Sequence, residues 1–285
     1  MICRREENMQ KSFFFVTNSQ HLILLVTFAY SEGGSLPTNK TNNYMNLDKL
    51  KMARSLRLIS TGRQRTNILR GWEQKTIAYL VQKIPAWISS DGLTAIGLFG
   101  NLMVAASFVL GAFVNIYWLL ISVIGFAINW FGDSLDGRLA YYRNTPRKWY
   151  GFSLDVTVDW IGTLLIGTGF TIYAPGIWKY TGFFFVVLYG WEMITAQLRY
   201  KIGGQYSIDS GIFGPTEVRI LIAIILVIEV FAPGSIRYLA TLACVVILIS
   251  NLVETRKLLK MADERDKKEL LLKQEEMKNL HKENA

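Results

Sequence analysis

Histidine and cysteine are almost absent from this chain, with two of each in 285 residues. Cys3 and Cys244 cannot build a disulfide framework or a zinc site. His21 and His281 fall in the extreme segments, so any chemistry in the middle of the chain proceeds without a His or Cys nucleophile. Charge is scarce too, at 19%, where soluble domains carry about 25%. Much of it sits in two flanking segments. Acidic residues are outnumbered 22 to 31 by Lys and Arg, for a net charge of +9. Such an excess can mark a nucleic-acid binder, yet no RNA-binding or helix-turn-helix pattern is visible. The basic residues lie instead where the positive-inside rule puts them. No nucleic-acid partner is expected.

Apolar residues make up the balance: 51% of the chain is hydrophobic and 13% aromatic, with a mean hydropathy of +0.24. Between Asp91 and Asn251 one long apolar run follows another, the pattern of an all-α integral membrane protein. Six spans are predicted, near Leu93–Phe113, Ile116–Phe131, Val156–Tyr173, Gly182–Leu198, Val218–Phe231 and Ile236–Val253. The second is expected to continue as helix through Asp133–Ala140, beyond the hydrocarbon. The connections 1–2, 3–4 and 5–6 carry only Lys179 and Arg237, whereas the other side holds Arg138, Arg143, Arg147, Lys148, Arg199, Lys201 and both flanks. Six spans with that asymmetry put both termini of the core in the cytoplasm.

Three segments surround this core of residues 91–253. Residues 1–50 contain an apolar stretch, Leu22–Tyr30, preceded by Arg4, Arg5 and Lys11. They read either as a signal-peptide-like segment or as a poorly structured extension ahead of a true start at Met45 or Met52. Residues 51–90 are basic. From Asn67 onward Leu69, Trp72, Ile77, Leu80 and Ile84 share one side of a helical wheel opposite Arg70, Gln74 and Gln82. That pattern predicts an amphipathic helix in the cytoplasmic interface, ended by Pro85. Residues 254–285 mix signs almost evenly and read as a solvated cytoplasmic helix.

Chemistry concentrates in two short stretches, Asp133-Ser-Leu-Asp136-Gly137-Arg-Leu-Ala140-Tyr141 and Gly151-Phe-Ser-Leu-Asp155-Val-Thr-Val-Asp159. Asp133 and Asp136 share a helix face, as do Asp155 and Asp159. A single pair is ordinary for solvated helix ends matched with Arg138, Arg143, Arg147 and Lys148. Two pairs converging at membrane depth repel and are costly to bury, and divalent cations resolve both problems. All-oxygen ligation selects Mg²⁺ or Mn²⁺, one or two ions. Gly137 and Ala140 leave that helix face without bulk, so a nucleotide can lie against the backbone.

The two stretches resemble the signature of the CDP-alcohol phosphotransferases, D-x-x-D-G-x-x-A-R followed by G-x-x-x-D-x-x-x-D, with Tyr141 where that family has Arg. Arg143, two residues later, is placed to compensate. The similarity continues in Pro85-Ala-Trp-Ile-Ser-Ser-Asp91-Gly-Leu93-Thr94-Ala-Ile-Gly97 and in Gly211-Ile-Phe-Gly214-Pro215-Thr216-Glu217, and covers about Pro85 to Val253. The resemblance implies a phospholipid-biosynthesis transferase that moves a substituted phosphate from a CDP-linked donor, CDP-diacylglycerol being favoured, to an acceptor hydroxyl, releasing CMP. Asp133, Asp136, Asp155 and Asp159 are then metal ligands, and Asp159 is also the catalytic base. Donor contacts fall to Gly137, Ala140, Arg143, Gly151 and Thr94. Arg199, Lys201 and Arg219, with Glu192, suggest an anionic-acceptor pocket for a polyol phosphate such as inositol phosphate. Glu229 is expected to reach the far interface. A homodimer is implied by the resemblance alone. The rival readings are a choline/ethanolamine-type enzyme with diacylglycerol as acceptor, a UbiA-type prenyltransferase, and a cation transporter. UbiA-type enzymes space their Asp motifs widely, and no internal repeat of a transporter kind is visible.

Overall fold

The computed structural model describes residues 53, 55–56, 69–203 and 215–283. The expectations for residues 1–50, for most of 51–68 and for the Gly211–Gly214 stretch lie outside the described residues. Those described are helical with short connections and no strand: α1 (Arg70–Leu80), α2 (Ser90–Phe113), α3 (Ile121–Tyr142), α4 (Lys148–Tyr173), α5 (Lys179–Gly203), α6 (Pro215–Phe231) and α7 (Ile236–Glu283). Short 3₁₀ turns, Ile116–Leu120 and Gly176–Trp178, lead into α3 and α5.

Four stretches are long and apolar enough to cross a membrane: Ser90–Phe113, Ile116–Tyr142, Lys148–Tyr173 and Ile236–His281. At most 44% of each apolar window is buried within the protein. Phe99, Leu102, Ile124, Phe184 and Ile249 point outward into open space. Water-soluble surfaces rarely tolerate apolar patches of that extent; hydrocarbon does. Of the other two predicted spans, α6 has only 17 residues and α5 carries Glu192 within its apolar run.

The helices overrun the hydropathy-based boundaries. α4 begins at Lys148 rather than Val156, which leaves only residues 143–147 between α3 and α4. Asn144 makes that tight turn. It takes a left-handed conformation (φ 56°), its N–H donates to the Tyr141 carbonyl at 3.2 Å, and Thr145 N–H donates to Ala140 at 2.9 Å, a left-handed helix stop. The last span and the tail form one uninterrupted helix, Ile236–Glu283. Hydropathy marks where lipid is met, not where hydrogen bonding ends.

The predicted face of α1 packs inward except at Trp72. Ile77, Ala78 and Val81 are buried with Leu93 of α2 and Leu135 and Leu139 of α3, Leu80 and Ile84 pack against them, and Trp72 is 64% exposed and stacks on Trp130. The helix has protein to pack on because α3 continues past its apolar stretch and presents those two leucines. Burying one Ile fully contributes about 1.5–3 kcal/mol, which decides which side turns inward. Glu229 is buried, and its carboxylate accepts hydrogen bonds from Tyr173 Oη (2.8 Å), Gly234 N (2.9 Å), Ser235 Oγ (3.1 Å) and Ile236 N (2.8 Å). It thereby caps the start of α7 at the turn that follows α6.

α2 is the platform. α3 and α4 are consecutive in sequence, yet each packs far more closely on α2 than on the other. The α2–α3 seam is backbone on backbone. A Cβ on Gly132 would lie 2.3 Å from Gly97 N, and one on Gly100 would lie 2.5 Å from Gly125 O. Only residues without a side chain allow this approach. Gly132→Ala should therefore force α2 and α3 apart and lower stability by about 1–3 kcal/mol, seen as a drop in thermal unfolding midpoint in detergent. Gly71→Ala on α1, where nothing lies within 4 Å, should raise it slightly, by about 0.5–1 kcal/mol. Equal midpoints for the two variants would contradict this packing.

Candidate metal centre

Asp133 comes from α3, and Asp155 and Asp159 come from successive turns of α4. One carboxylate oxygen from each lies within 4.8 Å of the others. Along the helix axes these residues are about 10–16 Å from the α3–α4 connection, at 1.5 Å per residue. The pocket they line is completed by Thr94, Gly97, Asn129, Asp136 and Val158. α2 thus supplies one wall and the two carboxylate-bearing helices supply the others. Three carboxylates this close repel unless a cation lies among them. An all-oxygen group of this kind can hold a metal ion, and the donor chemistry fits a hard divalent cation.

Asp136 lines the pocket but stands outside the tight trio. Its Oδ2 accepts from Thr94 Oγ1 at 2.8 Å and its Oδ1 accepts from Gly137 N. Ser90 Oγ donates to the Asp136 carbonyl at 2.7 Å, so the first turn of α2 is tied to this residue twice over. Thr94, expected at the donor, here orients a carboxylate. The trio is matched by Arg219 of α6, whose Nη2 donates to Asp133 Oδ2 at 2.5 Å, with both side chains largely buried.

The remaining expected residues are dispersed. Gly137 and Ala140 are half-buried on α3, one turn apart, and Gly151 is exposed with open space beside it. Of the expected acceptor cations only Arg219 is in the pocket's hydrogen-bond network. Arg199 is ion-paired with Glu254 at 2.5 Å, on the seam between α5 and α7. Lys201 is exposed, and its carbonyl accepts from Arg265 at 3.0 Å. Glu192 is half-buried on α5. One turn before it, Tyr189 lies within electrostatic reach of Asp159, Arg219 and Asp133. Tyr189 and Asn129 belong to this neighbourhood and were missed by sequence reasoning. Both had a signal: Asn129 precedes Asp133 by one helical turn, and Tyr189 precedes Glu192 by one. Asn129 Nδ2 donates to the Gly97 carbonyl at 3.0 Å, which fastens the α2–α3 seam beside the carboxylates.

Arg143 does not extend into the pocket. Its guanidinium donates to the carbonyls of Ile88 (2.6 Å), Pro85 (2.9 Å) and Ile84 (3.4 Å), and so closes the α1–α2 connection onto the end of α3. Arg143→Ala should cost about 1.5–3 kcal/mol, the range for hydrogen bonds to a charged group, read as a lower unfolding midpoint in detergent. A midpoint unchanged from wild type would show that these bonds contribute nothing. Arg147 pairs with Asp91 on the same side of the fold, and that carboxylate raises the guanidinium pKa above its ordinary value.

No protein-family model matches the chain, and no curated protein matches it either, so its function is inferred from these residues.

Proposed function

We propose that the protein is an integral membrane phosphotransferase of the CDP-alcohol type, acting on a CDP-linked lipid donor and a hydroxyl acceptor. The observation that carries this reading is the convergence of Asp133, Asp155 and Asp159 within 4.8 Å, with the Asp136–Thr94 pair lining the same pocket. These are the carboxylates of the D-x-x-D-G and D-x-x-x-D stretches.

Asp133, Asp155 and Asp159, with Asp136 lining the same pocket, would hold Mg²⁺ or Mn²⁺. When bound, such an ion supplies Lewis-acid polarisation of the donor diphosphate and offsets charge on the departing CMP. The chain's own groups do the rest. Gly137 and Ala140 leave room for the nucleotide against α3, and Gly151 is open to solvent near the start of α4. Asp159 accepts the proton of the acceptor hydroxyl. The hydroxyl oxygen then bonds to the β-phosphorus, the bond from that phosphorus to the bridging oxygen breaks, and CMP leaves with the electron pair. The product is a phosphodiester. Arg219, with Glu192 and Tyr189 nearby, suits an acceptor that carries a phosphate, such as a polyol phosphate.

The same reading takes α2 to α7 as six spans with the pocket facing the cytoplasm. The charge asymmetry of the connections supports that orientation. The rim on the Asp side suits a membrane surface: Arg147 stacks over Tyr150 at 4.2 Å, Lys148 lies over Trp149 at 5.2 Å, and Trp87 is 83% exposed. Amphipathic rings and cations of this kind anchor at headgroup level.

The test is CMP release by the detergent-purified protein from CDP-diacylglycerol, CDP-choline or CDP-ethanolamine, with inositol phosphate, glycerol phosphate or diacylglycerol as acceptor. Release should require Mg²⁺ or Mn²⁺, stop with EDTA, and vanish in Asp133→Asn and Asp136→Asn. Asp159→Asn should keep donor binding while turnover falls about 10²- to 10⁴-fold. Full turnover in Asp133→Asn, with normal folding, would remove the carboxylates from the mechanism.

A further inference from the structure

The acidic pocket already contains a cation of its own. Arg219 enters from α6 and holds Asp133 at 2.5 Å, with only 14% of its side chain exposed. Its charge also acts on Asp159, so it faces the trio rather than one carboxylate. The backbone that carries it is fixed from the other direction. Thr216 Oγ1 donates to the buried Glu73 Oε1 at 3.2 Å, and Glu217 Oε1 accepts from Leu69 N at 3.1 Å, at the start of α1. The first turn of α6 is thus latched to α1, while Arg219 extends from that turn on a long, flexible stem.

A guanidinium and a divalent cation compete for the same oxygens. Asp133 Oδ2 is in the Arg219 bond, and Asp133 is one of the three groups that can hold a metal. Two cations side by side in a half-buried pocket repel strongly, since screening there is weak. We propose that Arg219 is the internal counter-ion of the metal-free pocket and is exchanged for the divalent cation when that ion binds. The displaced guanidinium, still tethered at the rim, then becomes a phosphate-binding group. Metal binding therefore precedes and promotes binding of a phosphate-bearing ligand, and by reciprocity the anion tightens the metal. This inference rests on the metal-dependent reading above and adds an order of binding to it.

The experiment measures Mn²⁺ affinity of the full chain in detergent, from the free-ion electron paramagnetic resonance signal, for wild type, Arg219→Gln and Arg219→Lys. Removing the competitor should tighten Mn²⁺ about tenfold in Arg219→Gln, within the usual range of site–site coupling. Arg219→Lys, which keeps the charge with less reach, should fall between that variant and wild type. In EDTA, Arg219→Gln should unfold at lower temperature than wild type, and Mn²⁺ should close the gap. A residue that merely shapes the pocket would weaken Mn²⁺ when replaced, so equal or weaker binding in Arg219→Gln overturns the exchange and leaves the metal site standing. If Arg219→Gln cannot be recovered folded, equal or weaker Mn²⁺ binding in Arg219→Lys overturns it. Absence of Mn²⁺ binding by wild type at millimolar concentration would overturn both the exchange and the metal reading beneath it.

Discussion

The backbone contact between α2 and its two neighbours is the constraint on which the rest depends. Lipid gives helices no hydrophobic reason to associate, so small residues that admit close van der Waals contact must do that work. Gly97 meets Gly132, Gly100 meets Gly125, and on the α4 side Gly162 abuts Asn101 while Gly169 abuts Ala105 and Phe108. Because α2 holds α3 and α4 at these fixed separations, Asp133 and the Asp155–Asp159 pair face each other across a narrow gap. A bulkier seam would leave three separate surface carboxylates. The pocket is thus a consequence of glycine placement on a helix that contributes no carboxylate to it.

Several polar groups away from the pocket find a partner on a different helix. Glu229 gathers four donors at the turn into α7. Asn251 Nδ2 donates to Leu188 O at 2.8 Å, and Trp191 Nε1 donates to Thr255 at 3.1 Å. With Arg199–Glu254 these contacts clamp α5 to α7 from the buried stretch out to the tail. Of the cations that sequence reasoning assigned to an acceptor pocket, Arg199 is consumed there and Arg219 reaches the acids.

What could be read from the chain followed from local periodicity. Helix-face spacing put Asp155 and Asp159 on one side of α4 but did not separate Asp136 from the trio, and apolar runs located α2 to α7 to within a few residues at most ends. What escaped were contacts between distant positions. Nothing local says that Arg219 meets Asp133, that Arg143 caps carbonyls of Ile84, Pro85 and Ile88, or that Glu229 closes a turn. The wheel of α1 put Ile77, Leu80 and Ile84 on the side that meets Leu135 and Leu139, but it put Trp72 there too, and Trp72 stays outside against Trp130. The start of α4 was placed late because its first turns are polar or aromatic, and an apolar-run criterion does not register them.

The central claim is that the three carboxylates of α3 and α4, brought together by α2, form a cation site. Anomalous diffraction from a crystal of the protein grown with Mn²⁺ tests it most directly. The account predicts a manganese peak at bonding distance from Asp133, Asp155 and Asp159, with the Arg219 guanidinium moved off Asp133. A manganese-soaked structure with no peak among these residues, and Arg219 still paired with Asp133, would contradict it.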